Sequence, residues 1–477
     1  MTTVLAIDQG TSGTKAVVVD GSGKVRSLIE RSLRPEYLPG GGVEQDPEEL
    51  LDSVLTTAES AACDAGIPVD VVTLTNQGET VLAWDPDTGK PLSKAIVWQD
   101  RRAEGICQSR KDSADMVAQR TGLVLDPYFS APKMTWLREN VTNEGIITTS
   151  DAWLLYRLTG EIVTDVSTAS RSLVTRLDDV DWDPELLDLF RLGNETLPRI
   201  VANDEVVGET SILGGSIPVG GLVVDQQAAL LAENCLAEGD AKCTFGTGAF
   251  LLVNGGTSAH RSSAGLSSSA AWRVEGETTY CFDGQVYTAA SAVRWLQQLG
   301  LIGSAAELDT VAATDSRGVL SVPALAGLAA PWWRPDARAV LTGMTLSTGA
   351  AEIVLAVLEG LAAQVADLAD LVARDLGAPI RRLRVDGGLT RSRVLMQAVA
   401  DLTQTEVEVY PSAHATPLGA VALARKSVNA ELSLADAVVK WEPATTYTPL
   451  WSSERALEHR DRWTRAVEAS LHVEGNK

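Results

Sequence analysis

Two stretches of this chain share one pattern. "TVLAIDQGTSGTKAVVVD" near the start and "AKCTFGTGAFLLVNGG" past the middle each read as apolar strand, Gly-Thr turn, apolar strand. Hairpins of one type, each opening a half of the chain, predict a duplicated architecture. The segments behind the two hairpins agree. After the first come the strand-like "GKVRSLIERSL" and the helical "PEELLDSVLTTAESAACDAG", closed by a glycine. Strands "VVTLT", "TVLAWD" and "KAIVWQD" come next, with "DPDTGK" as a hairpin turn, and "GGLVVD" runs into the helix "QQAALLAENCLAEG". After the second come a long amphipathic helix, "AAEIVLAVLEGLAAQVADLADLVARDLG", and a β–Gly turn–α–β unit, "RRLRVDGG", "SRVLMQAVADLTQ", "EVEVY". The class is α/β. At 477 residues the chain is too long for one core. Two domains are expected, residues 1–238 and 239–477, meeting near Gly239, with a helical tail from about residue 430 packed on the second.

Composition narrows the function. Net charge is −23 with no basic patch, which disfavours nucleic acid and anionic membranes as partners. The opening "MTTVLAIDQG" carries no basic, apolar and cleavable leader, and no run of ~18 apolar residues occurs, so a soluble cytoplasmic protein is expected. The five cysteines are scattered, odd in number and never spaced C-x-x-C; reduced cytosolic thiols are expected rather than a metal site. With four histidines and no ligand-pair spacing among them, carboxylates become the candidate acid–base groups.

Polar clusters sit where strands end. Asp8 ends "TVLAID", residues 76–79 (NQGE) come after "VVTLT", residues 98–100 (WQD) after "AIV", and Asp225 ends "GLVV". Beyond the carboxyl ends of parallel strands, helix N-termini and loops converge, so these clusters point to one shared cleft; each taken alone is equally a turn or a cap. "DQGTSGTKA" offers backbone N–H groups to phosphate oxygens. Its G-x-x-G-x-K spacing, followed by a strand, is not a Walker A loop. "FGTGAF" is a second such turn, and "VDGGLTRS" sets two glycines ahead of a helix N-terminus, where anions are favoured. Asp225, at a strand-to-helix junction whose dipole keeps a carboxylate ionised, is the candidate catalytic base, or else an N-cap.

In their order these residues resemble the FGGY carbohydrate kinases, and among them the glycerol-phosphorylating branch most closely. The matching stretches are "DQGTSGTKAVVVD", "TNQGET", "GKPLSKAIVWQDRR", "TGLVLDPYFSAPKMTWLREN", "DAWLLYRLTG", "DQQAAL", "FGTGAFLLVNGG", "GLAAPWW" and "RVDGGLTRSRVLMQAVADL". The stretch from Tyr128 to Asn140 fits the family's first signature at every position. The resemblance implies two actin/hexokinase-type domains, each on a ribonuclease-H-like sheet, with an active-site cleft between them. It implies ATP, Mg²⁺ and transfer of the γ-phosphoryl group to a primary hydroxyl of a small polyol or sugar, glycerol leading. On the matching positions, Asp8 would act near the metal ion and Asp225 would accept the proton of the attacking hydroxyl. Thr11, Ser12, Lys15, Gly246 and Thr247 would line the phosphate path, and Gly388 would approach the nucleotide. Glu79, Trp98, Tyr128, Asp225, Gln226 and Phe250 would hold the polyol.

The resemblance breaks at named places. The glycerol-phosphorylating branch carries an Arg after the Asn-Gln pair that binds substrate hydroxyls; this chain has Gly78. Losing a guanidinium removes donors and a charge and is expected to leave space, which a tetritol, a pentitol or a xylulose-like ketose could use. Two nucleotide-contact positions carry Arg294 in place of Gln and Ser392 in place of Asn. The loop "LGGS" before "IPVGG" lacks the Arg that binds fructose bisphosphate, so insensitivity to that regulator is expected. Readings from other classes are an ATP-driven conformational module like actin or the heat-shock ATPases, and an idle sensor. The acid–aromatic pocket speaks against the first, and Asp8 with Asp225 against the second. Oligomeric state, a homodimer included, stays open.

Overall fold

In a computed structural model describing residues 2–334 and 336–473, the two halves are built on sheets of one order. The ends of the expected domains at residues 1 and 477 therefore lie outside the described residues. The N-terminal sheet contains β1 (Val4–Gln9), β2 (Gly13–Val19), β3 (Val25–Ser32), β4 (Val71–Asn76), β5 (Val206–Thr210), β6 (Ile217–Gly220) and the short β7 (Val223–Val224). β1 to β3 form an antiparallel meander; β4 pairs with β1 in parallel, and β6 and β7 pair with β4 in parallel. The C-terminal sheet contains β8 (Asp240–Phe245), β9 (Ala249–Asn254), β10 (Ser267–Val274), β11 (Glu277–Val286), β12 (Arg382–Asp386), β13 (Val407–Val409) and β14 (Thr445–Tyr447). It repeats the plan: antiparallel β8, β9 and β11, then β12 and β13 added in parallel beside β8. The duplication announced by the two hairpins is present, and the fold is the expected pair of ribonuclease-H-like domains.

Local chemistry explains the elements that aim the site. β4 reads VVTLTN and is buried along its whole length, as a β-branched central strand should be. The helix Pro47–Ala65 starts at Asp46, whose carboxylate accepts from the Glu48 N–H at 3.0 Å, and stops at Gly66, with φ 62°. "TVLAWD" and "KAIVWQD" pair as expected, Val81 opposite Ile96, but in a separate five-stranded sheet of the N-terminal domain. The hairpin joining β5 to β6 spans residues 211–216, SILGGS, and holds no basic residue.

Packing interleaves the two halves where the sequence suggested a clean division. The helix Ala415–Ser427 lies C-terminal to β13, yet its Leu418, Val421 and Ala424 pack with Val4, Ala6, Val17 and Val71 of the N-terminal sheet. It also meets the helix Asp225–Ala232 so closely that a Cβ on Gly419 would stand 1.8 Å from the Ala228 carbonyl oxygen. The boundary at 238/239 divides the sequence but not the core. The tail also departs from the expected all-helical form. Helix Ser453–Val473 does cover the C-terminal core, burying Trp463, whose Nε1 donates to the Ser321 carbonyl at 2.8 Å. Upstream, "EPATTYTP" forms β14, because Pro443 and Pro449 obstruct a helix while the threonines favour a strand.

Candidate active site

The ends of the strands converge because β1, β4 and β7 run parallel and in register. Asp8 lies opposite Thr75, and both Gln9 and Val224 lie opposite Asn76. The turn after β4 is tied into this meeting point. Gln77 donates its N–H to the Gln9 carbonyl at 2.8 Å, accepts from Thr11 Oγ1 at 2.7 Å and donates Nε2 to Gln45 Oε1 at 2.7 Å. Trp98 Nε1 donates to Thr11 Oγ1 at 2.9 Å. Residues 76–79 thus form a turn and a wall of the cleft at once. The Thr11 hydroxyl is committed on both sides, donating to Gln77 and accepting from Trp98, while the neighbouring Ser12 is exposed.

Three aromatic rings cluster beside this turn. Trp98 stands edge-on to Tyr128, with centroids 5.5 Å apart at 70°, and to Phe250, 6.5 Å apart at 81°. Tyr128 is held by Lys133, a buried lysine whose Nζ donates to the carbonyls of Pro127, Tyr128 and Phe129 at 2.9, 2.6 and 2.6 Å. Removal from water pulls the Lys133 ammonium down to about 8. Glu79 is also buried, in left-handed backbone at φ 58°, a conformation that costs energy for any residue but glycine. Its Oε1 is paired with Arg171 Nε. Arg171 also donates to Asp283 Oδ2 at 3.1 Å and to the Tyr128 hydroxyl at 3.3 Å, with its guanidinium 5.6 Å from the centre of the Tyr128 ring. Burial pushes the Glu79 carboxyl up, and Arg171 opposes that rise.

Arg171 and Asp283 escaped the sequence reading. A signal was there: the one cation inside "VTDVSTASRSLV" and the one acid inside "TTYCFDGQVY" stand among short or apolar side chains, where a buried charge needs a partner. The space expected beside Gly78 is partly taken, because a Cβ on Gly78 would lie 3.0 Å from Cγ2 of the buried Val224.

The carboxylates sit where the domains meet. Asp225 is the first residue of its helix, and its Oδ1 accepts from the Gln226 N–H at 2.7 Å. Burial raises its pKa, while Lys242 and then the Gln226 N–H pull it back. Lys242 is fully buried on β8 of the other domain and donates Nζ to Gln226 Oε1 at 2.6 Å and Thr244 Oγ1 at 2.8 Å. That fixes the Gln226 amide oxygen, and the Gln226 side chain also hydrogen-bonds Asp225, a further influence lowering that carboxyl. Asp8 stands opposite Lys15 across the first hairpin; burial pushes its carboxyl up to about 7, with Lys15 opposing and Asp225 adding to the rise. Among the described residues nothing donates to the Asp8 carboxylate, and Oε1 of the adjacent Gln9 is buried without a partner. Orphaned hard oxygens suit a divalent cation that keeps waters and phosphates as its other ligands. No closed cluster of three His, Cys, Asp or Glu side chains occurs among the described residues.

On the opposite wall the second hairpin is docked to a helix. Thr247 and Gly246 accept through their carbonyls from the N–H groups of Ala289 and Ala290, at 2.8 and 3.0 Å, at the start of helix Ala290–Gln298. Arg294 lies exposed on that helix. The third turn abuts the hairpin, since a Cβ on Gly387 would reach 2.4 Å from the Phe245 carbonyl, while Gly388 has nothing within 4 Å and presents open backbone. Ser392, expected at the nucleotide, caps a helix. Its hydroxyl donates to Asp309 Oδ1 at 2.8 Å and accepts from the Leu395 N–H at 3.2 Å. Serine before a helix serves capping and ligand binding equally well, which is why the two were not separable in the sequence.

Residues 3–232 match the profile of the FGGY family of carbohydrate kinases, N-terminal domain, and residues 241–427 that of its C-terminal domain. A glycerol kinase of Bordetella parapertussis is 40% identical over 98% of this chain and 97% of its own length. One from Thermus brockianus is 39% identical over 98% of each. Among solved structures, Plasmodium falciparum glycerol kinase with ADP superposes with a TM-score of 0.93 at 31% identity, covering 99% of this chain and 98% of that one. A xylulose kinase from Lactobacillus acidophilus, 21% identical, shares the fold with a TM-score of 0.90 over 100% of this chain and 99% of its own.

Proposed function

This chain belongs to the FGGY family of carbohydrate kinases, phosphotransferases with an alcohol acceptor, and from that premise we propose that it phosphorylates glycerol at a primary hydroxyl, converting ATP to ADP. The observation that carries the proposal is a juxtaposition. Asp225 heads a helix beside the acid–aromatic wall of Glu79, Trp98, Tyr128 and Phe250, and the two glycine hairpins lie near it.

Trp98 and Phe250 suit the carbon edge of a polyol, and Glu79, Asp225 and the Gln226 amide suit its hydroxyls. Asp225 takes the hydroxyl proton as the oxygen–phosphorus bond forms and the bond to the leaving ADP oxygen breaks. The hairpin backbones, Lys15 and the open backbone at Gly388 align the triphosphate. Mg²⁺ would be held by Asp8, with the Gln9 side-chain oxygen beside it, and supplies neutralisation of phosphate charge when bound. Closure of the two domains excludes water and limits wasteful hydrolysis. Reduced cysteines suit the cytoplasmic location that belongs to this reading, since all five are free.

The test is ADP release on adding glycerol. Asp225→Asn should lower turnover by about 10²–10⁴-fold, with nucleotide affinity, measured by calorimetry, changed little. Equal loss of nucleotide binding would sink the role given to Asp225. ADP release that ignores the polyol would instead identify an ATP-driven module, and binding without release an idle sensor.

A further inference from the structure

We propose that Val224 sets the length of the acceptor, acting as a volume lock against Gly78; the inference rests on the chain being a polyol kinase. The segment bearing Glu79 and the segment bearing Asp225 come together only through the end of the sheet, where Val223 and Val224 pair with Thr75 and Asn76. Gly78 immediately precedes Glu79, and Val224 immediately precedes Asp225. At this junction the valine Cγ2 lies 3.0 Å from where a Cβ on Gly78 would stand, a tight contact. Val224 and Gly78 are both buried, so the isopropyl group is a packed filler of this corner. A polyol held by Glu79 at one end and Asp225 at the other runs past this filler. The room that a fourth or fifth carbon would take is room the valine holds.

The two positions are therefore one determinant. A methyl at 78 requires a smaller residue at 224, and a smaller residue at 224 opens the pocket only while 78 remains glycine. Sequence spacing could not disclose this, since the partners lie on separate strands. The lock also settles what the absent side chain at 78 does to specificity: it makes room for Val224 and not for a longer substrate.

The experiment is an ADP-release screen at matched concentration over glycerol, erythritol, xylitol and xylulose, reading kcat/KM for each. The wild-type protein is expected to prefer glycerol. Val224→Ala should raise the ratio of the longer acceptors to glycerol by about ten-fold, the low end of what one methylene's fit is worth. Gly78→Ala alone should raise the glycerol KM, because its Cβ meets Val224. Gly78→Ala combined with Val224→Ala should recover glycerol and lose the gain on longer acceptors, the new methyl refilling the volume. Val224→Thr, which keeps the volume, should keep the wild-type ranking. An unchanged ranking in Val224→Ala overturns the lock, as does equal loss of turnover in Val224→Ala and Val224→Thr. A wild-type protein that releases no ADP with any acceptor sinks the functional reading beneath it, which is a different failure.

Discussion

A single buried cation can set the chemistry of a carboxylate with which it makes no hydrogen bond, and Lys242 does so for Asp225. It bonds Gln226 and Thr244 and is wholly removed from water. Its charge is the largest influence opposing the burial that raises Asp225. Glu233 and Asp386 also face it, but burial, with Asp386 nearby, drives the Glu233 carboxyl far up toward its protonated form, and both Glu233 oxygens are unpartnered. The lysine charge is thus left to Asp225 and Asp386, whose own rise through burial it also opposes. A base must be ionised to work, so removing the cation should move the onset of activity to higher pH. Lys242→Met is predicted to shift the acid limb of kcat/KM upward, because the charge that opposes the rise of the Asp225 carboxyl is gone. Lys242→Arg keeps the charge and should hold the limb near its wild-type position. If the methionine variant raises only the glycerol KM and leaves the limb in place, Lys242 acts solely by holding the Gln226 amide.

At the scale of elements, the packing between the two halves depends on two helices that approach closely at Gly419. Gly419 lies against the Ala228 carbonyl, where a Cβ would stand 1.8 Å from the oxygen, so no rotamer change relieves a substitution. The helices would have to separate, and the helix Ala415–Ser427 also carries Leu418 and Val421 into the N-terminal core. Gly419→Ala is therefore predicted to cost roughly 1–3 kcal/mol or more, read as a lower urea midpoint. Gly105→Ala is the matched control. It sits in the helix Glu104–Gln108 with nothing within 4 Å of its Cβ, so helix propensity should make it neutral or slightly stabilising, by up to about 1 kcal/mol. Equal losses in the two variants would contradict a close helix contact at Gly419.

Across the whole molecule, what could be read from the sequence was what is local. The two hairpins, the glycine turn after β12 and the acids at strand ends are each encoded in one stretch of neighbouring residues, and periodicity exposes them. The interleaved helix Ala415–Ser427, the Val224 filler and the Arg171 clamp arise from residues far apart in the chain. Arg171 meets Glu79 across 92 positions and Asp283 across 112, and a lone charge in an apolar run tells only that some partner exists. That clamp joins the domains, since Glu79 comes after β4 of the first sheet and Asp283 lies on β11 of the second. It therefore couples stability to the shape of the substrate pocket. Arg171→Gln would leave both carboxylates buried without their cation, and breaking a buried pair in this way costs about 3–5 kcal/mol. The same variant releases Glu79 and Tyr128, so the glycerol KM should rise. Adding Asp283→Asn removes one of the orphaned charges, so the double variant should be more stable than the sum of the singles by about 1–2 kcal/mol. Urea unfolding of the four proteins supplies that cycle, with glycerol kinetics run beside it. Strict additivity would mean that Arg171 serves Glu79 alone and that the domains are joined by the two packed helices without it.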